Sequence, residues 1–185
     1  MRLFRAHGRA HTRSRVAITK QKINMKPTEQ AFEIIKMWEQ LRYRAYKPLP
    51  TEKYYSIGYG HYGKDVAKNQ VITPQQAVEL MHQDVARYAD KLNEYCPYLH
   101  QRQYDALISF IYNVGWYAFR YSMTGVCCHS IGLKYTPTEC AQRLLLWVKA
   151  GGRTLLGLQR RRVYEANYFL GTEAFAVVDG GIVVL

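Results

Sequence analysis

The 185-residue chain is long enough for one well-buried domain or for two small lobes that share a core. With 48% hydrophobic and 22% charged residues its composition is typical of a globular protein. The absence of an H-E-x-x-H motif, a Walker loop, a dinucleotide fingerprint and internal repeats argues against the enzyme and repeat classes that carry them. The formal net charge of +12 favours an anionic partner such as a bacterial wall or a nucleic acid.

The first 24 residues hold seven of the positive charges and no acidic residue. They lack the apolar core of a secretory signal and are too polar to span a membrane. Two interpretations fit them. Residues 1–24 form a basic arm that binds phosphate or an acidic surface, or they precede a translation start at Met25, where the organised sequence begins.

The first organised segment predicts a helix followed by a small β-rich lobe. Thr28 can cap a helix, and apolar residues then recur at helical spacing as far as Trp38, so this helix should end at about Glu39 or Arg42. Over residues 43–72 two prolines block a helix, and "YYSIGYG" is typical of a strand with tight turns.

Helices dominate the rest of the chain. We predict a long helix after the Thr73 cap, a buried central helix over 101–115, and two more over 136–148 and 157–170, the last ending at Gly171. The apolar tail 172–185 fits an edge strand or a partner contact. Because strands and helices are segregated, the predicted class is α+β, with a cleft between a small β-rich lobe and a larger helical lobe joined by the long helix.

The four cysteines do not have zinc-ligand spacing, since no C-x-x-C pair occurs. We interpret them as buried or half-buried thiols in a reducing cytoplasm. No metal site is predicted.

Four ordered segments point to a function. "WEQLRYRAY", "SIGYGH", "QYDALISFIYNVG" and "GLQRRRVYE" resemble, in this order, segments of the phage-type lysozymes, the endolysins of glycoside hydrolase family 24. The resemblance spans residues 28–170, and "IGYGH" is its most specific string. It implies a lysozyme-like fold over 25–171 that binds peptidoglycan glycan strands and hydrolyses the β-1,4 bond between N-acetylmuramic acid and N-acetylglucosamine.

The resemblance also sets expectations for partners and location. No cofactor is needed, no specific nucleic acid is expected, and we expect a monomer without a transmembrane segment. Such a protein is made in the cytoplasm and acts on the cell wall after release through a membrane pore or from a virion.

Glu39 is the candidate general acid. Glycosidic cleavage needs a carboxylic acid that stays protonated near neutral pH, usually in apolar surroundings. The family's catalytic glutamate falls on Glu39, and we expect Trp38 and Leu41 to keep water from it. The family's threonine before I-G-Y-G-H falls on Ser56, which keeps the hydroxyl that helps to hold the attacking water.

One family position is missing. The second catalytic residue, usually Asp, falls on Pro48, position 40 is Gln rather than Gly, and the following loop is longer than usual. Glu52 in that loop is a candidate replacement, because an inverting hydrolase needs a second carboxylate about 6.5–9.5 Å from the acid. Three interpretations stay open: Glu52 or Ser56 positions the water, the substrate's N-acetyl group or 6-hydroxyl attacks, or the protein binds the wall without cutting it.

Other candidate residues have a structural alternative. By resemblance, His61 pairs with Asp84 to join the small lobe to the long helix, and we favour this ion pair over a catalytic base. The resemblance places Tyr112, Asn113 and Ser122 against the glycan, although Asn113 fits a helix cap equally well. The three arginines 160–162 precede Glu165 on a helix, so we expect ion pairs and a solvated face.

Overall fold

The structure is a computed structural model, and it describes residues 24–185. The prediction for the basic arm therefore lies outside the described residues, except for Asn24. The helices are α1 Glu29–Trp38, α2 Pro74–Tyr95, α3 Gln101–Val114, α4 Trp116–Arg120, α5 Met123–His129, α6 Pro137–Leu144 and α7 Leu156–Leu170. The strands are β1 Arg42–Tyr46, β2 Tyr55–Gly58, β3 His61–Gly63, β4 Lys149–Ala150, β5 Arg153–Thr154, β6 Phe175–Val178 and β7 Gly181–Val184.

The small lobe is a three-stranded antiparallel sheet in the order β1-β2-β3. The register pairs Ser56 with Tyr62 and Ile57 with His61. Alternation along β2 sends the Ile57 side chain into a small apolar cluster with Val66, Ile72 and Ala77. Because Ala77 belongs to α2, this cluster packs the sheet onto the start of the long helix.

The helical lobe is built around α3, which is the predicted central helix. Its residues from Gln103 to Ile111 are buried, and it packs against α1, α2 and α7. The buried Asp105 accepts hydrogen bonds from the Thr28 backbone N–H (3.0 Å) and hydroxyl (2.7 Å), so it ties the start of α1 to α3. The α+β class with a small sheet and a larger helical lobe is confirmed.

The long helix α2 begins where its cap predicts. Thr73 and Gln76 form a reciprocal capping box, and Pro74 occupies the first turn, where its missing N–H is not needed. Near the other end of α2, Asn93 holds the backbone of Met25 from both sides, with bonds of 3.0 Å and 2.9 Å. The chain segment before α1 is thereby attached to the long helix.

The C-terminal tail forms a β-hairpin. Strands β6 and β7 pair through a turn at Asp179 and Gly180, both with positive φ, which favours the type I′ geometry of tight hairpins. The Asn167 amide of α7 donates to the Phe175 carbonyl (2.9 Å) and accepts from its N–H (3.0 Å). The tail therefore forms strands that pack within the chain, on α7, and a partner contact of its exposed residues stays a prediction.

Buried thiols complete the helical core. All four cysteines are buried and free of disulfides, as the sequence predicts. Burial raises the pKa of the Cys96 thiol, so this thiol stays protonated and behaves as a small apolar group.

Candidate active site

Glu39 lies at the end of α1, where its backbone N–H still donates to the Ile35 carbonyl (2.9 Å). Its side chain is 21% exposed, and its Oε1 accepts a hydrogen bond of 2.6 Å from Arg161 Nη1. Trp38 and Leu41, which we expect to keep water from Glu39, pack against other groups. Trp38 packs edge-on against Tyr164, and Leu41 packs on the small-lobe cluster. The partner of the carboxylate is thus a buried arginine.

The Arg161 guanidinium is fixed by three different groups. Besides Glu39, its Nε donates to Glu165 Oε1 (3.0 Å) and its Nη2 donates to the Ser109 carbonyl (3.1 Å). The Ser109 hydroxyl donates to the same Glu165 oxygen (2.8 Å). Bonds to two helices and to Glu39 leave the guanidinium little freedom to move away from the Glu39 carboxylate.

A second buried arginine extends this network. Arg162 Nη1 lies 3.1 Å from Glu165 Oε2 without the alignment of a hydrogen bond, and Nη2 donates to Asn113 Oδ1 at 2.6 Å. Burial lowers the pKa of Arg162 to about 10. Two glutamates and two arginines make the network neutral when all four are ionised. The expected solvated face is wrong for Arg161 and Arg162, which are buried, and right for Arg160, which is exposed.

The glycine-rich turn of the small lobe lies beside Glu39. Gly58 and Gly60 have φ of 66° and 93°, values that side chains with a Cβ rarely adopt. A Cβ added at Gly60 would lie 3.8 Å from Glu39 Oε2. The Tyr112 hydroxyl donates to the Tyr59 carbonyl (3.0 Å), so the end of α3 holds this turn in place. The turn at Gly60 therefore forms one wall beside the candidate acid.

Ser56 and Glu52 lie on the segment that leads into this turn. Ser56 is a buried residue of β2, between Tyr46 of β1 and Tyr62 of β3, and its side chain alternates with that of Ile57. Glu52 lies in the preceding loop, where its carbonyl accepts from Lys47 Nζ (2.6 Å). Within residues 24–185 no hydrogen bond or ion pair joins the Glu52 and Glu39 side chains, and Pro48 is exposed. Their roles toward water stay predictions.

His61 and Asp84 lie together, as predicted. His61 Nδ1 is 2.9 Å from Asp84 Oδ2, and its Nε2 is 3.0 Å from Asp65 Oδ2. Asp84 also pairs with Arg87. The hydrogen bond to Asp84 is the largest cause of a raised pKa of the buried His61, with a smaller contribution from Asp65. The pair joins β3 to α2, which is the connection that the structural interpretation requires.

The two other predicted glycan contacts make hydrogen bonds within the protein. Asn113 lies in the last turn of α3 and is bound by Arg162, while Gly115 ends the helix, so the helix-cap interpretation of Asn113 is wrong. The Ser122 hydroxyl caps α5, donating to the Phe119 carbonyl (2.8 Å) and accepting from the Gly125 N–H (3.1 Å). Because a hydroxyl has one proton to donate, Ser122 can only accept from a ligand in this arrangement.

Arg161, Glu165 and Ser109 were not predicted to belong to the site. The only signal in the sequence is their position in "GLQRRRVYE" and "QYDALISF", since nothing in spacing alone indicates that α7 approaches the end of α1. Among the described residues no group of three or more His, Cys, Asp or Glu side chains is placed to hold a metal ion. No helix in this part of the chain is both long and apolar enough to cross a membrane.

A cavity of about 810 Å³ lies on another side of the Glu39 segment. Its walls come from the end of α1, from α7 and from the C-terminal hairpin, and they include Trp38, Tyr164 and Val177. Glu39 does not line it, so we do not assign it to the candidate active site.

Comparisons with known proteins agree with this geometry. The phage lysozyme family model matches residues 36–165. The endolysin of Bacillus phage PZA is 40% identical over 150 residues, which are 78% of this chain and 55% of the relative. The endolysin of Salmonella phage P22 is 35% identical over 142 residues, or 72% of this chain and 91% of the relative. The chain spans about half the length of the Bacillus phage endolysins that it matches.

Solved structures show the same fold. The muramidase domain of SpmX from Asticaccaulis excentricus superposes with a TM-score of 0.69 and 32% identity, over 78% of this chain and 97% of that one. A P22 lysozyme variant gives a TM-score of 0.65 and 32% identity, over 79% and 99%. Both the matched segment and the overall fold show that the chain belongs to the phage lysozyme family.

Proposed function

We propose that this protein is a peptidoglycan-cleaving muramidase, which hydrolyses the β-1,4 bond between N-acetylmuramic acid and N-acetylglucosamine. The observation that supports it most is the partly exposed Glu39 carboxylate, bound by a buried arginine beside the glycine-rich turn of the small lobe. Cell-wall lysis during release of phage from its host is the role that fits this activity.

Glu39 acts as the general acid, and Arg161 stabilises the carboxylate that forms when Glu39 gives up its proton. When the Glu39 carboxylic acid gives its proton to the leaving oxygen, the C–O bond breaks and a carboxylate remains. Arg161 Nη1 is already positioned 2.6 Å from that carboxylate, held by Glu165 and Ser109. A preorganised cation at the place where charge develops lowers the barrier without reorganisation.

Ser56 and Glu52 are our candidates for handling the attacking water. Pro48 has no group that accepts a proton, so hydrolysis with an enzyme-bound water needs another residue on the small lobe. Ser56 lies in β2, four residues before Gly60, where the glycine-rich turn approaches Glu39, and Glu52 lies on the loop before β2. In this scheme Ser56 orients the water and Glu52 takes its proton.

The missing second carboxylate also favours a specific second candidate, a lytic transglycosylase reaction. There the substrate's own 6-hydroxyl attacks, so that one enzyme carboxyl suffices and the product carries an anhydro end. The two reactions use the same Glu39 and differ only in the attacking oxygen.

Digestion of purified peptidoglycan with product mass analysis tests both candidates. We expect clearing of a wall suspension and products with ordinary reducing ends, and we expect Glu39→Gln to abolish clearing because an amide cannot donate that proton. Ser56→Ala should slow hydrolysis more than the matched loop variant Lys53→Gln. Anhydro ends would favour transglycosylation, whereas a folded parent protein that binds the wall and never clears it would contradict both.

A further inference from the structure

Two exposed tyrosines stand side by side on the helical lobe. Tyr117 and Tyr121 are 70% and 78% exposed, and their rings are nearly parallel, with an angle of 8° and a centroid distance of 6.4 Å. They lie one turn apart on α4 and its C-cap, while Phe119 between them is fully buried. Phe119 thus provides the core contact of this helix, and the core does not need the two tyrosines.

Positive charges flank both rings. Lys91 Nζ of α2 lies 5.7 Å from the Tyr117 ring centroid, and the Arg120 guanidinium lies 5.6 Å from that of Tyr121. Arg120 is also held 3.8 Å over the ring of Tyr95, which fixes its position. We call these four residues, Lys91, Tyr117, Arg120 and Tyr121, the tyrosine platform. It offers flat apolar area with polar tips next to cations.

The α4 part of the tyrosine platform follows the end of α3 directly along the chain. Helix α4 follows Gly115 directly, after the end of α3 that holds the glycine-rich turn through Tyr112. Tyr88 packs on Tyr112, and one turn later in α2 Lys91 lies over Tyr117. Helix α2 therefore contacts the end of α3 through Tyr88 and the tyrosine platform through Lys91.

We propose that the tyrosine platform binds the glycan strand of peptidoglycan outside the cleft, and this rests on the proposed function. The apolar face of a pyranose ring matches an exposed tyrosine ring. The carboxylate of an N-acetylmuramic acid residue, or of the peptide attached to it, matches Lys91 and Arg120. A neutral ligand would not need the two cations.

Binding of the full chain to purified peptidoglycan sacculi tests the proposal. It is measured by sedimentation in a Glu39→Gln background, so that the wall is not cut. Tyr117→Ala combined with Tyr121→Ala should raise the dissociation constant for sacculi roughly tenfold, the scale of two lost aromatic contacts. The same double change with Glu39 intact should leave cleavage of short soluble glycan fragments unchanged, because these fragments fill only the cleft.

Two control variants separate the platform from general effects. Tyr117→Phe with Tyr121→Phe keeps the rings and should keep most of the binding. Val184→Ala with Leu185→Ala removes apolar side chains that are each 72% exposed on the C-terminal hairpin, and it should have no effect. If the double alanine variant does not fold by circular dichroism, the single changes Tyr117→Gln and Tyr121→Gln replace it.

Unchanged binding of sacculi by the alanine variant would overturn the proposal, as would a loss seen with DNA and not with sacculi. The outcome for the platform is independent of the outcome for the enzyme. If the parent protein cuts no glycan but its binding to sacculi depends on the platform, the muramidase proposal is wrong and the platform proposal stands. If the parent protein cuts efficiently and its binding does not depend on the platform, the platform proposal is wrong and the muramidase proposal stands.

Discussion

Arg161 Nη1 donates a 2.6 Å hydrogen bond to Glu39 Oε1, although 122 positions separate the two residues. The contact joins the end of α1 to α7 and gives the candidate acid a fixed cationic partner. Because the Arg161 side chain is buried and Glu39 is partly exposed, a ligand at the site reaches the carboxylate and not the arginine.

We therefore expect substitutions of Arg161 to lower kcat with little change in KM. Arg161→Lys keeps the charge and loses the fork that binds Glu39, Glu165 and Ser109 together, and removing such a preorganised donor lowers kcat roughly 10²-fold. Steady-state kinetics on a soluble glycan fragment measures both constants. The exposed Arg160→Lys is the matched control, and a normal kcat in Arg161→Lys would contradict the role given to Arg161.

Removing the charge altogether should also destabilise the fold. In Arg161→Ala the buried Glu165 loses one of its two arginine partners, and breaking a buried pair in this way lowers the free energy of unfolding by about 3–5 kcal/mol. Urea denaturation measures it, again with Arg160→Ala as the control.

The local signals in the sequence predict much of the fold, and they fail where tertiary contacts decide. Caps and periodicity placed α1, α2, α3 and α7 to within a few residues, since each has a clear start signal or a long apolar face. Helices α4 and α5 were missed because five and seven residues are too few for a periodic pattern. The Asp179–Gly180 pair between apolar runs is a strong hairpin signal, and it would have identified β6 and β7.

The candidate site was predicted in part for the same reason. "IGYGH" identifies the small-lobe wall because glycine is needed where φ is positive. The burial of Arg161 and Arg162 is different, since it depends on Glu39 and Glu165 being brought next to them by packing of α7 against α3. The run of three arginines before Glu165 predicts ion pairs and a solvated face; the ion pairs are present, and only the fold shows that two of the arginines are buried.

Ser122 offers a test between a cap and a glycan contact. Ser122→Ala should lower the free energy of unfolding by about 1 kcal/mol, because the N–H of Gly125 loses its acceptor. Ser122→Asp keeps a capping oxygen and should retain most of the stability. Denaturation and KM for a glycan fragment are measured together, and an increase in KM in both variants at unchanged stability would show that the hydroxyl binds substrate instead.

Asn167 should hold the C-terminal hairpin on α7. Asn167→Ala leaves the N–H and the carbonyl of the buried Phe175 without partners, which lowers the free energy of unfolding by roughly 2–4 kcal/mol. Faster hydrogen exchange in β6 and β7 would show that the loss of stability lies in the hairpin. The control is Gln159→Ala, which removes a single bond to Gly180 at the exposed turn and should cost less. Equal losses in both variants would contradict the assignment.

The pairing of His61 with Asp84 predicts stability that depends on pH. The pKa of His61 is raised in the folded protein, above its ordinary value of about 6.5, so the charged pair stabilises the fold fully below that pH. The stabilisation is lost as pH rises through the folded pKa of His61. Asp84→Asn should therefore lower the melting temperature more at pH 5 to 6 than at pH 8.

Two other charged residues near the His61–Asp84 pair determine how the control variant should behave. Asp84 also binds Arg87, which stays charged across this range, so the loss of that contact adds an equal decrease at every pH. Asp65 faces the other ring nitrogen of His61, but its side chain is 63% exposed, so Asp65→Asn should give a smaller change with the same sign. Activity that disappeared in Asp84→Asn with an unchanged melting curve at pH 5 to 6 would instead make His61 a catalytic base.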